Sequence, residues 1–135
     1  MEKKEKQWDD GYCFACGKEN PIGLRLQFSF EDARYVARHT VPAEYQSYTG
    51  TVHGGIVSTM LDEAMGGYLY AKGYKAVTAR LNIRYRETTP IGKPLKIVGW
   101  ITAQRGKFID MAATVSLSDG TVTAEGTAKM AVVEE

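Results

Sequence analysis

Thr51-Val52-His53-Gly54-Gly55-Ile56-Val57-Ser58-Thr59-Met60-Leu61-Asp62-Glu63-Ala64-Met65 decides how this chain is read. A histidine and two glycines run directly into an apolar segment. From about Gly55 to Lys72, Ile56, Met60 and Ala64 form one stripe at helical spacing, and Val57, Leu61, Met65 and Leu69 form the next. Together they cover most of the circumference, so the pattern predicts a buried helix, with Gly73 just past its end. The first turn of such a helix points unpaired N–H groups at whatever lies in front of it, and glycine there lets a ligand come close to the backbone. Two turns further in stands Asp62, a carboxylate whose desolvation is costly unless it is paired or used. Backbone donors at one place and a carboxylate at another are equipment for attacking a carbonyl.

Working outward, Leu24–Phe30 sets Leu24, Leu26, Phe28 and Phe30 against Arg25, Gln27 and Ser29, the alternation of a half-buried strand. Glu31-Asp32-Ala33 reads as a turn into a second strand over Arg34–Val41, followed by a tyrosine-bearing loop from Pro42 to Gly50. After the helix come strand patterns at Ala76–Glu87, Pro94–Gln104, Lys107–Ser118 and Thr121–Val133, with turns at Arg105-Gly106 and Asp119-Gly120. The class is α+β, an antiparallel sheet wrapped around one long central helix. A single sheet around one helix leaves edges and apolar surface uncovered, so a homo-oligomer is expected. Residues 1–10 read as a polar tail and residues 11–135 as a single domain.

Bulk properties exclude several classes. The 135 residues carry 17 basic and 16 acidic side chains, a formal net charge of +1, which offers nucleic acid no overall attraction. No apolar run reaches the ~18 residues of a membrane span. Met1-Glu2-Lys3-Lys4-Glu5-Lys6-Gln7 lacks the apolar core of a secretory signal, and two cysteines make no disulfide framework, so a reducing cytoplasm is the expected location. Cys13-Phe14-Ala15-Cys16 is a lone CxxC with only His39 and His53 as further soft ligands. It is read as a packed turn, and neither a metal nor a cofactor is expected.

Glu63 sits ~100° round the helix from Asp62, so only one of the two faces a given pocket. Asp62 shares its face with Gly55, Ser58, Thr59 and Gly66, small or hydroxyl residues suited to a cleft. Glu63 shares its face with Ile56, Met60 and Tyr70. Gly54 and Asp62, eight residues apart on one helix, are separated by ~12 Å, whereas reacting atoms must approach within ~3–3.5 Å. If both serve one substrate, they come from two chains. His53 is a candidate base, a carbonyl donor, or the side chain that ties the loop to the helix start. From Thr78 to Arg86, strict alternation puts Thr78, Arg80, Asn82, Arg84 and Arg86 on one face and Ala79, Leu81, Ile83 and Tyr85 on the other. The arginines are either a solvated face or a grip on phosphates, with Arg105-Gly106-Lys107 as a second such place.

His53-Gly54-Gly55 followed by Asp62, together with Val77-Thr78-Ala79-Arg80-Leu81-Asn82-Ile83-Arg84-Tyr85 and Pro90 behind it, resembles the PaaI-like branch of the hotdog-fold acyl-CoA thioesterases. The opening Cys13-Phe14-Ala15-Cys16-Gly17-Lys18-Glu19-Asn20-Pro21-Ile22-Gly23-Leu24 is similar to a cysteine-bearing start in a subset of that family. The resemblance spans about residues 11–133. It implies hydrolysis of an acyl-CoA thioester by a homodimer or homotetramer. The Gly54 amide, beside Gly55, would hold the thioester oxygen. Asp62 of the partner subunit would be nucleophile or general base, Thr78 would place the water or carboxylate, and His53 takes part in some members. Members often carry asparagine or glutamine ahead of the HGG; this chain departs from that, with Ser47 where the asparagine is expected and Gln46 beside it. Asn82, Arg80, Arg84, Arg105 and Lys107 remain candidates for the CoA.

Two rivals share the architecture. A hydratase or dehydratase needs a histidine ahead of Glu63, where Thr49 falls, or an acid ahead of His53, and residues 45–52 contain none. A non-catalytic acyl or CoA-ester binding module uses the same cleft without turnover.

Overall fold

The computed structural model describes residues 9–134. Two strands, β1 (Phe28–Glu31) and β2 (Arg34–Thr40), precede a single α-helix, α1 (Gly54–Ala71). Four more strands follow: β3 (Lys75–Tyr85), β4 (Pro94–Arg105), β5 (Phe108–Leu117) and β6 (Val122–Glu134). All six form one antiparallel sheet in the order β1-β2-β4-β5-β6-β3, wrapped around α1 in the hotdog arrangement. The polar tail expected over residues 1–10 lies outside the described residues except for Asp9 and Asp10. Their carboxylates accept from the Gly11 and Tyr12 N–H groups at 2.8 and 3.0 Å, two local turns of the kind aspartate favours.

The helix is buried as its two apolar stripes require: Met60, Leu61, Met65 and Leu69 are fully enclosed, facing Ile97, Ile109 and Met130 from the sheet. The sheet bends closely over it at Gly99, where a Cβ would fall 2.3 Å from the Ala64 carbonyl oxygen. Only glycine admits that approach. The first strand is shorter than its alternation implied. Leu24 and Leu26 are buried, but their N–H groups go to the Phe14 and Ala15 carbonyls at 2.8 and 2.9 Å, so ladder pairing begins only at Phe28. Arg25, with φ of +57°, marks the irregular stretch.

Among the described residues, the edge strand β3 pairs with no strand but β6. Val77 is 46% exposed and Tyr85 53% exposed, so apolar surface accompanies this edge strand. Its register slips once: Thr78 pairs with Met130 but Arg80 pairs with Lys129, leaving Ala79 as an extra residue. Such a bulge reverses which side chains face the core. Thr78 therefore shares the helix-facing side with Leu81, Ile83 and Tyr85. The strict alternation that grouped Thr78 with the arginines is overturned by this one residue.

Candidate active site

The site begins at the start of α1. His53 is the N-cap: its Nδ1 accepts from the Gly55 N–H at 2.9 Å, and its carbonyl accepts from Ile56 and Val57 at 2.9 and 3.1 Å. With Nδ1 accepting, the neutral ring carries its proton on Nε2. Of the readings open for His53, the structure displays the tie between loop and helix. The cap does not use the Gly54 N–H. The Gly54 carbonyl accepts from the Tyr85 hydroxyl at 3.0 Å, and the same hydroxyl lies 2.6 Å from Ser58 Oγ. Tyr85 thus straps the helix start to β3, a role that its place among apolar residues concealed. A Cβ on Gly54 would meet its nearest neighbour, Tyr85, at 3.6 Å, an ordinary contact. Nothing in this chain alone demands glycine there.

Asp62 lies two turns along the same helix, half-buried. Its Oδ1 accepts from Thr78 Oγ1 at 2.8 Å, a contact the Ala79 bulge makes possible. A charge-assisted bond of this kind fixes one carboxylate oxygen and leaves the other for chemistry. Gly54 and Asp62 both fall within α1, at the ~12 Å spacing of eight helical residues.

The neighbouring Glu63 is strongly desolvated. Burial pushes the Glu63 carboxyl above its ordinary range, the negative charges of Asp62 and Asp9 add to this, and hydrogen bonds from Cys16 and Cys13 oppose it. Its surroundings respond in kind: burial and the Glu63 charge push the Tyr35 hydroxyl up to about 12. Cys16 is raised as well, by burial first and then by Glu63. Glu63 Oε1 lies 3.9 Å from Cys13 Sγ. The CxxC therefore has a carboxylate partner 50 positions away, beyond the reach of motif reading.

Other candidates are distributed differently. Arg80, Asn82 and Arg84 occupy the outer face of β3, opposite the helix and away from the Asp62 of their own chain. Arg105 pairs with Asp110 at 3.3 Å and Lys107 lies 5.5 Å from the Phe108 ring, both at the turn between β4 and β5. Gln46 and Ser47 stand in the loop ahead of the helix, where Gln46 Oε1 accepts from Gly50 at 3.1 Å and the Ser47 N–H donates to Thr51 at 2.8 Å. No helix among the described residues is long and apolar enough to cross a membrane.

Residues 49–124 match the model of the thioesterase superfamily, a segment that carries Gly54, Asp62 and Thr78 together. The chain belongs to the thioesterase superfamily. That is the family to which the HGG-to-aspartate motif and its PaaI-like resemblance pointed. It is 26% identical over 129 residues to mouse (Mus musculus) acyl-coenzyme A thioesterase THEM4, covering 93% of this chain and 56% of that protein. RHA08564, a thioesterase superfamily protein of known structure, superposes with a TM-score of 0.84 at 26% identity, covering 90% of this chain and 60% of that one. The smu.793 protein of Streptococcus mutans UA159, whose structure is bound to acetyl CoA, gives 0.77 at 24% identity, covering 87% and 96%. This chain spans about half the length of the curated relatives it matches.

Proposed function

We propose that this thioesterase-superfamily chain is an acyl-CoA thioesterase whose active site is shared between two copies. The observation that carries the reading is the Thr78–Asp62 hydrogen bond, held at the edge strand β3 and ~12 Å along the helix from a cap that does not use the Gly54 N–H. In this scheme the Gly54 N–H of one copy, aided by the helix dipole, binds the thioester oxygen as negative charge develops on it. Asp62 of the other copy either takes a proton from water that attacks the carbonyl, or attacks it directly to form an anhydride that water opens. In both routes the carbon–sulfur bond breaks, the CoA sulfur leaves and regains a proton, and a free acid is released. Water is the only co-reactant.

Pairing of two β3 edges supplies the dimer, and dimers pairing again give a tetramer. Gln46, Ser47 and Gly55 flank the carbonyl end. Asn82, Arg80, Arg84, Arg105 and Lys107 are proposed to meet the CoA moiety, from sheet faces that only another copy brings near. Residues 11–135 act as one domain, in a reducing cytoplasm where Cys13 and Cys16 stay out of disulfides. The CoA ester as substrate is supported by the name of the mouse relative and by the acetyl CoA of the S. mutans structure.

The test uses two variants that fail for different reasons. Proline is favoured at the first helical position and lacks the N–H, and His53, at φ −56° and ψ 136°, already has the extended backbone a following proline requires. Gly54→Pro should lower thiol release from acyl-CoA esters by ~10²–10³-fold, and Asp62→Asn should also inactivate. Co-refolding the two variants should restore activity in the mixed dimer, which has one intact site. A mixture as inactive as its parents would refute the shared site. Saturable binding of CoA esters by the native chain without turnover would make it a binding module.

A further inference from the structure

Beside the Asp62–Thr78 pair, in a cleft that Thr78 also lines, the structure brings together three metal-ligating side chains. Cys13 Sγ, Cys16 Sγ and a Glu63 carboxylate oxygen all lie within 4.8 Å of one another. A tetrahedral zinc ion, with bonds of about 2.3 Å to sulfur and about 2.0–2.2 Å to carboxylate oxygen, separates such ligands by roughly 3.5–3.8 Å. The Cys13–Glu63 separation of 3.9 Å is already at that size.

The loop that presents the thiols is shaped for the task. The Gly17 N–H closes it on the Cys13 carbonyl at 2.8 Å, and the Ala15 N–H points at Cys13 Sγ at 3.4 Å. These two bonds fix the orientation of the Cys13 side chain within the loop. A Cβ on Gly17 would fall 2.3 Å from the Cys13 nitrogen and 2.4 Å from the Gly11 carbonyl oxygen, so the turn closes only on glycine. The cleft around the three groups, about 510 Å³, is lined also by Asp9 and Asp10, and none of its described lining residues is basic. Two thiols and a carboxylate at this spacing are a mixed sulfur and oxygen donor set that suits zinc.

We propose that Cys13, Cys16 and Glu63 bind zinc, with a water as fourth ligand. The ion ties the N-terminal loop to the middle of α1, next to the residue that carries Asp62. The expectation of a packed turn without metal failed to include Glu63 because the third ligand comes from the helix rather than from the motif. The proposal does not depend on the thioesterase reading, and its readout is spectroscopic.

The native chain, purified without chelator, should contain about one zinc per chain by elemental analysis. Stripped and reloaded with cobalt(II), it should show thiolate-to-cobalt charge transfer in the near ultraviolet and tetrahedral d–d bands, both lost on adding zinc. Glu63→Gln should keep the charge-transfer band and alter the d–d bands, while Cys13→Ser should weaken both. Zinc should also slow alkylation of both cysteines in the native chain, a readout that needs no variant. Cobalt loading without a charge-transfer band, a Cys13–Cys16 disulfide in freshly purified protein, or a cobalt spectrum indifferent to Glu63→Gln would each overturn the site.

Discussion

Asp62 and Glu63 are neighbours on one helix, carry the same functional group, and occupy opposite circumstances. Asp62 is half-buried and fixed by one neutral hydroxyl on an edge strand. Glu63 is turned into the sheet's wrap against two thiols and Tyr35, and burial raises its pKa. The difference shows that burial and reactivity need not coincide. On the proposed function, Asp62 meets a substrate held by another chain, which fits its place at a surface. A group that holds the fold or an ion is enclosed by its own chain.

The sharpest way to break this contrast is to neutralise each acid in turn. Asp62→Asn should lower kcat for acyl-CoA hydrolysis by ~10²–10⁴-fold, with far-ultraviolet circular dichroism and oligomeric state unchanged, while Glu63→Gln should stay within a few-fold of native. The reverse order would show that the acids had been assigned to the wrong tasks. Next in size is Thr78→Val, which removes the one hydroxyl that the structure gives Asp62. Loss of a hydrogen bond to a charged group, ~1.5 kcal/mol, corresponds to about a tenfold fall in kcat with KM little changed. A rise in KM alone would move Thr78 from orienting the carboxylate to holding substrate.

Smaller effects test the periphery. Charge reversal at Arg84 or Lys107 should raise KM for the CoA ester by a few-fold, more at low salt than at high. An unchanged KM in both would remove the outer-face basic residues from the site. The smallest effect concerns His39, on β2, whose Nε2 is buried with no hydrogen-bond partner among the described residues and whose pKa is lowered by burial. The folded chain thus holds the neutral ring, so its contribution to stability is present above the unfolded value of about 6.5 and is lost as pH falls below it. Urea midpoints should decline from pH 7 to 5 in the native chain and less steeply in His39→Gln. Equal slopes would exclude His39 as the group responsible.

Much of the architecture was readable because it rests on periodicity. The two apolar stripes of α1 predicted its extent to within a residue at each end, and Asp119-Gly120 and Arg105-Gly106 marked turns at which Gly120 and Gly106 adopt φ of +92° and +61°. What escaped the reading had no local signature. The strap from Tyr85 to Gly54 spans 31 positions and the Cys13–Glu63 contact spans 50, so neither is encoded in any short window. The helix itself separated Asp62 from Glu63. Helical phase puts Glu63 on the stripe with Ile56 and Met60 and Asp62 on the side of Gly66, which lines a cleft together with Thr78.

The extra residue at Ala79 has a consequence for reading relatives. It acts as a half-step in a two-stroke cycle: upstream of it, odd and even positions exchange sides relative to those downstream. A relative lacking that residue but keeping Leu81 and Ile83 inward would turn its counterpart of Thr78 away from the helix, and would have to place its hydroxyl one position over. Alignment columns across this strand are therefore comparable only between chains that share the insertion, and a missing threonine there can signify a change of phase rather than a missing function.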